Sequence, residues 1–261
     1  FRNPKPFGVI NQFELNKQIQ HFILQKDKNA ESYSTADRKF IAQYEGSGGQ
    51  GSKGATGEGV LYEFFTPDFI CELMWKLAYR YGFKAGGSVL EPSVGTGNLL
   101  KWAPNNSKCY GFEINPISKR ITEILYPDAK IYEGYFETAF LQQPRYTARL
   151  KDKITWLEGY PFSLVIGNPP YGKYKNKYSS YFTRPKMHQI ELFFMYQGLQ
   201  LLKPGGLMVY LTGSNFLRNG ISYQSEKLEL EKLADIVDAY RLPPVFKFSK
   251  VPTDIIVFKR K

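Results

Sequence analysis

Asn168-Pro169-Pro170-Tyr171 is the stretch of this 261-residue chain whose residue types and order point most directly to chemistry. The asparagine amide offers one acceptor and two donors, and the tyrosine offers a flat face. Together they can grip a planar group that carries an amino hydrogen, and an adenine base is such a group. The apolar residues 162–167 just before them read as a buried parallel strand. Pro169 and Pro170 have no N–H to give a sheet and cannot continue it, so they fix a stiff corner at the strand's carboxyl end. Open α/β sheets bind their ligands at that end.

A second constellation lies upstream. Residues 88–91 read as a short strand, and Glu91-Pro92-Ser93-Val94-Gly95-Thr96-Gly97-Asn98 as a turn into a helix from about residue 99. Strand, Gly-x-Gly turn and helix open a nucleotide-binding unit, with glycines allowing close approach of a ligand. The full dinucleotide fingerprint and the Gly-Lys-Ser/Thr of a phosphate loop are both missing. The next strand, 108–112, closes on Glu113, with Ile114-Asn115-Pro116 and a helix to Leu125 behind it. An acid in that place suits the two hydroxyls of a ribose. With Glu91 it would repel a pyrophosphate and favour a ligand carrying a ribose and a positive amino or sulfonium group. That is S-adenosyl-L-methionine rather than NAD. A third strand, 129–132, leads to Glu133-Gly134-Tyr135-Phe136-Glu137, where an aromatic can stack on the cofactor's adenine and a carboxylate can accept its amino hydrogens.

Elements that must position these groups follow from periodicity and punctuation. Phe13, Leu15, Ile19, Phe22 and Ile23 form an apolar stripe on a first helix, and Ser34 with Asp37 forms a capping box for a second over 36–44. Residues 1–45 are thus expected to be a helical extension. Half of residues 46–59 are glycine, so 46–61 reads as a linker or a ligand-covering loop. Thr66 caps and Pro67 starts a helix ending near Gly82. Residues 140–158 read as an irregular insertion with a short helix near 151–157. A helix over 185–202, a strand over 207–211, a helix capped by Ser222 or Ser225 and running to Leu233, and strands over 234–240 and 253–258 complete the chain. His21 and His188 sit on helices with no evident acid–base partner. They read as surface or packing residues.

The net charge of +11 favours a polyanionic partner. It is concentrated after Tyr171, where Lys173, Lys175, Lys177, Arg184 and Lys186 alternate with Tyr174, Tyr178, Tyr181 and Phe182 without an acid between them. Such a run can hold phosphates while its rings stack on bases or pack beneath the loop. Lys247 lies in a second aromatic–basic loop, 241–250, in which Phe246 or Phe248 can face a base; alternation does not choose between them. Two distant cysteines, Cys71 and Cys109, make neither a disulfide framework nor a zinc pattern. No apolar run is long enough for a bilayer and no secretory segment opens the chain, so a cytoplasmic place and no membrane partner are expected.

Residues 57–259 resemble the adenine-N6 DNA methyltransferases of the gamma motif order. Tyr62–Pro67 is similar to the family's motif ahead of the first strand, and Leu90–Gly97 to its cofactor loop. Glu113 is similar to the ribose-binding acid, Asn168–Tyr171 to the catalytic motif, and Arg241–Val257 to the last motif, whose aromatic sandwiches the target base. Tyr135 stands where the family often has an aspartate, with Glu137 two residues on. The extension and the Gly-rich run resemble the methylase portion of phage or mobile-element polypeptides that also carry a helicase. The resemblance implies a Rossmann-like class I methyltransferase fold: a mostly parallel seven-stranded sheet with helices on both faces, occupying 62–261 without a separate target-recognition domain. It implies methyl transfer from S-adenosyl-L-methionine to adenine N6 in DNA, without a metal. Asn168, Pro169, Pro170 and Tyr171 would be catalytic, and Tyr171 with Phe246 or Phe248 would stack on the target base. Tyr62, Thr66, Pro67, Glu91, Pro92, Gly95, Gly97, Glu113, Ile114, Tyr135, Phe136 and Asn168 would hold the cofactor. Lys173, Lys175, Lys177, Arg184, Lys186 and Lys247 would meet the DNA backbone. A target-recognition or helicase domain or subunit is the expected further partner. Methylation of RNA adenine or of a protein glutamine, or a catalytically silent nucleic-acid-binding module, are the rival expectations.

Overall fold

The computed structural model describes residues 11–46, 65–142, 150, 151, 154, 156–218, 223–246 and 252–261. Tyr62, Lys247, Phe248 and Ser222, and most of the Gly-rich run, lie outside the described residues. Seven strands form one sheet: β1 (Val89–Glu91), β2 (Cys109–Glu113), β3 (Lys130–Glu133), β4 (Phe162–Gly167), β5 (Leu202–Gly213), β6 (Ala234–Leu242) and β7 (Thr253–Arg260). Their order is β3-β2-β1-β4-β5-β7-β6. The first five neighbours run parallel, while β7 is antiparallel to both β5 and β6. The sheet is mostly parallel and seven-stranded, as expected.

Alternation along the strands divides the core. Leu90, Val165, Met208 and Ile256 point to one side, where Phe193, Met195 and Leu199 of α5 (Ile190–Gln200) cover them. Val89, Leu164, Ile166, Val209 and Val257 point to the other, under Ile70, Met74, Leu77 and Ala78 of α3 (Asp68–Arg80). Central strands therefore read as unbroken apolar runs, because both faces are covered.

Helix starts explain where the site's loops end. Pro116 opens α4 (Pro116–Leu125), and the Asn115 side chain accepts from the Ile117 and Ser118 amides at 2.9 and 3.3 Å. The expected capping box is present: Ser34 and Asp37 exchange hydrogen bonds at the start of α2 (Thr35–Ile41). Ile19 and Ile23 of α1 (Gln12–Lys28) and Ile41 of α2 share a buried cluster with Ile121 and Ile124 of α4, while Phe13 is exposed. Arg120 of α4 adds a two-pronged ion pair to Asp27 at 2.6 and 2.8 Å.

Several elements depart from their sequence outlines. Pro67 is the cap and not the first residue of α3, which has no side-chain cap. Behind the Gly-x-Gly turn there is only a 3-10 turn, Leu100–Trp102, and the Leu99 carbonyl at its start accepts from Trp75 Nε1 at 2.7 Å. α5 starts at Ile190, not 185. The chain before it is tied into an arm, with Tyr174 N to His188 O at 2.9 Å and Ile190 N to Gly172 O at 2.8 Å. β5 begins at Leu202. The expected strand began at 207; the register against β4 shifts across Lys203-Pro204-Gly205-Gly206. α6 (Gln224–Leu233) starts after Tyr223, in the left-handed region, and Ser225 Oγ bonds the Glu226 carboxylate instead of capping. His188 lies before α5, not on it, and it has an acidic partner: its Nδ1 is 2.6 Å from Glu226 Oε1. That partner comes from α6, 38 residues away, where no local pattern could show it.

Candidate active site

The carboxyl ends of β1, β2, β3 and β4 open onto one cavity of about 620 Å³. Its floor is the corner after β4. Asn168, Pro169, Pro170 and Tyr171 all line it. The Asn168 carbonyl accepts from Ser93 Oγ at 3.2 Å, which ties the corner to the loop after β1. The Tyr171 hydroxyl donates to Asn168 Oδ1 at 2.5 Å and lies 3.3 Å from the Leu211 carbonyl. The short contact to the phenol holds the Asn168 amide in one place. A carbonyl oxygen has two lone pairs, so Oδ1 can take a second donor from the cavity.

The wall from the first two strands is built around Glu113. Its two oxygens accept from the Gly95 amide at 2.8 Å and the Asn115 amide at 2.7 Å. The carboxylate thus joins the loops after β1 and β2. Gly95 adopts a positive φ of 56° and passes so close to Phe65 that an added Cβ would lie 3.1 Å from its ring. Pro92 and Ile114 complete this side. Glu91 sits deeper. It is 3% exposed, and its Oε2 has no hydrogen-bond partner among the described residues. With Thr66, Ser93 and Asn168 it lines a niche of about 30 Å³ beside the main cavity. Burial, with the Glu113 charge adding, pushes the Glu91 carboxyl well above its ordinary value.

The third strand supplies Tyr135, Phe136 and Glu137. Phe136 is buried against Phe112 and Phe194, at ring separations of 5.5 and 5.1 Å. Of the basic arm, Lys173 and Lys175 reach the cavity. Lys177 lies over the rings of Tyr135 and Tyr178, while Arg184 and Lys186 are exposed and do not line the cavity. The arm's rings mostly pack beneath it: Tyr174 stacks on Phe193 at 4.4 Å, and Phe182 meets Phe193 edge-on at 4.9 Å.

Not every expected site residue comes to this cavity. Gly97 does not: a Cβ there would stand 2.6 Å from the Tyr126 ring, and its φ is +82°. Its missing side chain makes room for Tyr126 and not for a ligand. Gly97→Ala is expected to lower stability by about 2 kcal/mol, combining overpacking with left-handed strain, and urea unfolding would measure it. Pro67 lines a separate cavity of about 500 Å³ on the far side of Phe65, and so does Phe246, which is 9% exposed and packed with the α3 cluster. Glu137, in the stretch expected to offer the cofactor a carboxylate, lines the main cavity, as do Phe65 and Ser93 from within the two quoted motifs and Asn176, which had no sequence signal of its own. Among the described residues no group of three or more His, Cys, Asp or Glu is placed to hold a metal, and no helix is long and apolar enough to cross a membrane.

This is the class I S-adenosylmethionine-dependent methyltransferase fold. The type I restriction-modification methyltransferase subunit from Streptococcus thermophilus superposes with a TM-score of 0.60 at 20% identity, over 76% of this chain and 45% of that one. A candidate class I methyltransferase from Listeria monocytogenes gives 0.59 at 16% identity, over 96% and 69%. At such identities the likeness is one of fold. In sequence, Defense against restriction protein B of Escherichia phage P1 is 28% identical over 208 residues, which are 79% of this chain and 8% of that protein. The family profile of the Eco57I restriction-modification methylases matches residues 107–246, more than half of the chain.

Proposed function

Because the chain belongs to the Eco57I restriction-modification methylase family, we propose that it transfers a methyl group from S-adenosyl-L-methionine to the exocyclic N6 of adenine in DNA. The observation that carries this reading is the meeting of Asn168-Pro169-Pro170-Tyr171 with Glu113 and Phe136 in one cavity, with Glu91 in the niche beside it. The residues fit the cofactor. Glu91 Oε2 is a buried acceptor without a partner, suited to a positive amino group. Gly95 leaves backbone exposed where a side chain would meet Phe65. Glu113 lies at the ribose position, and Tyr135, Phe136 and Ile114 offer flat and apolar surface for an adenine. When bound, the cofactor supplies an electrophilic methyl group on a sulfonium.

The chain's own residues act on the acceptor. Adenine N6 is a weak nucleophile because its lone pair is delocalised into the ring. Asn168 Oδ1 and the Pro169 carbonyl accept its two hydrogens and favour the pyramidal geometry, in which the lone pair points at the methyl group. This interaction strengthens as positive charge builds on nitrogen, so it lowers the barrier more than it tightens binding. The Tyr171 phenol holds Asn168 Oδ1 still before the base arrives, and Ser93 holds the Asn168 backbone carbonyl just ahead of Pro169. In duplex DNA the base must leave the stack to reach the corner. Lys173 and Lys175 meet phosphates at the mouth, with Lys177, Arg184 and Lys186 further along the arm. Tyr171 offers one face to the base; of the two phenylalanines of loop 241–250, Phe246 is packed behind Phe65, which leaves Phe248 for the other face. A domain or subunit that recognises sequence, or a helicase, completes the assembly.

Transfer of labelled methyl from S-adenosyl-L-methionine tests the reading, with unmethylated duplex DNA, single-stranded DNA, tRNA and a protein extract offered separately. Label recovered as N6-methyladenine from DNA is expected. Label on tRNA or protein alone would overturn it.

A further inference from the structure

Asn176 stands out in the basic arm because its side-chain amide faces inward. Its Nδ2 donates to Glu137 Oε1 at 2.6 Å, and Glu137 is 1% exposed. Its Oδ1 accepts from the Tyr178 amide at 2.9 Å, and its carbonyl accepts from Ser179 Oγ at 2.9 Å. One residue therefore both shapes the turn of the arm and moors it. Beside it the Tyr178 ring meets Tyr135 edge-on at 5.3 Å, and Lys177 Nζ lies 4.9 Å from the Tyr135 ring centre. Tyr135 and Glu137, the two moorings, are also wall residues of the cavity, on the side of Phe136. The arm's two ends are held elsewhere, by the Tyr174–His188 and Gly172–Ile190 backbone bonds and by Tyr174 and Phe182 against Phe193. Asn176 therefore moors to this wall the stretch between them, from Lys175 to Ser179.

We propose that Asn176 is a positioning residue that couples the two ligands of the site: through Glu137 it ties occupation of the cofactor cavity to the seating of the basic arm on a nucleic-acid backbone. The inference rests on the reading of the site as a nucleic-acid methyltransferase. A ligand packed against Tyr135 and Glu137 orders the wall on which Asn176 docks. The seated arm places Lys173 and Lys175 at the cavity mouth. By linkage, phosphates that hold the arm in place must tighten cofactor binding by the same factor.

The test is the affinity of S-adenosylhomocysteine for the 261-residue chain, by titration calorimetry at low salt, with and without a saturating adenine-containing duplex. About tenfold tightening by DNA is expected for the wild type. Asn176→Asp keeps the shape and the acceptor for Tyr178 but sets one carboxylate against another, so the tightening should shrink to less than twofold. Adding Glu137→Gln rebuilds the hydrogen bond with its polarity reversed, and the tightening should return. A residue that merely stabilised the fold would not give this loss and recovery. A wild-type ratio near one, an Asn176→Asp chain that keeps the ratio, or a double variant that fails to recover it would overturn the coupling. Failure of the wild type to bind S-adenosylhomocysteine or DNA at all would instead sink the reading of the site on which the coupling rests.

Discussion

Asn168→Ala should reduce methyl transfer to DNA at least 10²–10³-fold, the scale set by removing one preorganised hydrogen-bonding group that acts on developing charge. The loss should fall on kcat and leave the affinity for S-adenosylhomocysteine within a few-fold. The side chain contacts the Tyr171 hydroxyl and faces the target, and it is the backbone carbonyl that Ser93 holds. The fold should survive. The Tyr171 hydroxyl would retain the Leu211 carbonyl at 3.3 Å, so about 1 kcal/mol of stability is at stake. Single-turnover transfer, with thermal unfolding alongside, separates the two effects. A variant of wild-type rate would remove Asn168 from the chemistry.

The second large effect concerns Glu91 and pH. Its carboxyl is held far above its ordinary value by burial and by the Glu113 charge. The folded, ligand-free chain therefore keeps a proton that the unfolded chain releases at about pH 4.3. The folded state binds more protons across the window from that value up to the raised one, so this group's stabilising contribution is present below the window and is lost as pH rises through it. A ligand amino group reverses the preference, since it needs the ionised carboxylate. Binding of S-adenosylhomocysteine should release a proton within the window, and affinity should rise with pH across it. The neighbouring Cys71 and Cys109 thiols do not interfere. Burial raises both, Cys109 to about 12, so they stay neutral there. Glu91→Gln should bind roughly 10–100-fold more weakly above the window, the cost of losing a charge-assisted hydrogen bond, and should show no such pH slope. Calorimetry in two buffers of different ionisation enthalpy counts the proton directly. A pH-independent wild type would remove Glu91 from the amino-group position.

What the sequence disclosed follows from which interactions are local. Strand ends closing on Glu91, Glu113 and Asn168 were legible, because an acid or an Asn-Pro pair stops an apolar run wherever it occurs. Both faces of the sheet were legible as unbroken Val/Ile/Leu runs. The capping box at Ser34 lies within four residues, and it was found. Contacts between distant segments were not legible. His188 meets Glu226, Asn176 meets Glu137, and Gly97 gives way to Tyr126 only once the sheet has brought them together. The start of α5 was misplaced for the same reason: two backbone bonds across the arm hold residues that a helical pattern would have claimed. Phe246 was read beside the corner from its place in a loop, yet it packs under α3 behind Phe65.

α4 has two partners, the β2–β3 side of the sheet and the pair α1–α2. Its first turn is reached through Asn115, whose amide is held by the carboxylate of Glu113. The leading segment is therefore ballast for the ribose end of the cavity, although none of its described residues lines it. In an exchange of parts between related enzymes, a seam at residue 46 would expose Ile121 and Ile124 as an adhesive stripe. A graft of the catalytic sheet would have to bring its first two helices along, or repaint the outer face of α4 with polar residues.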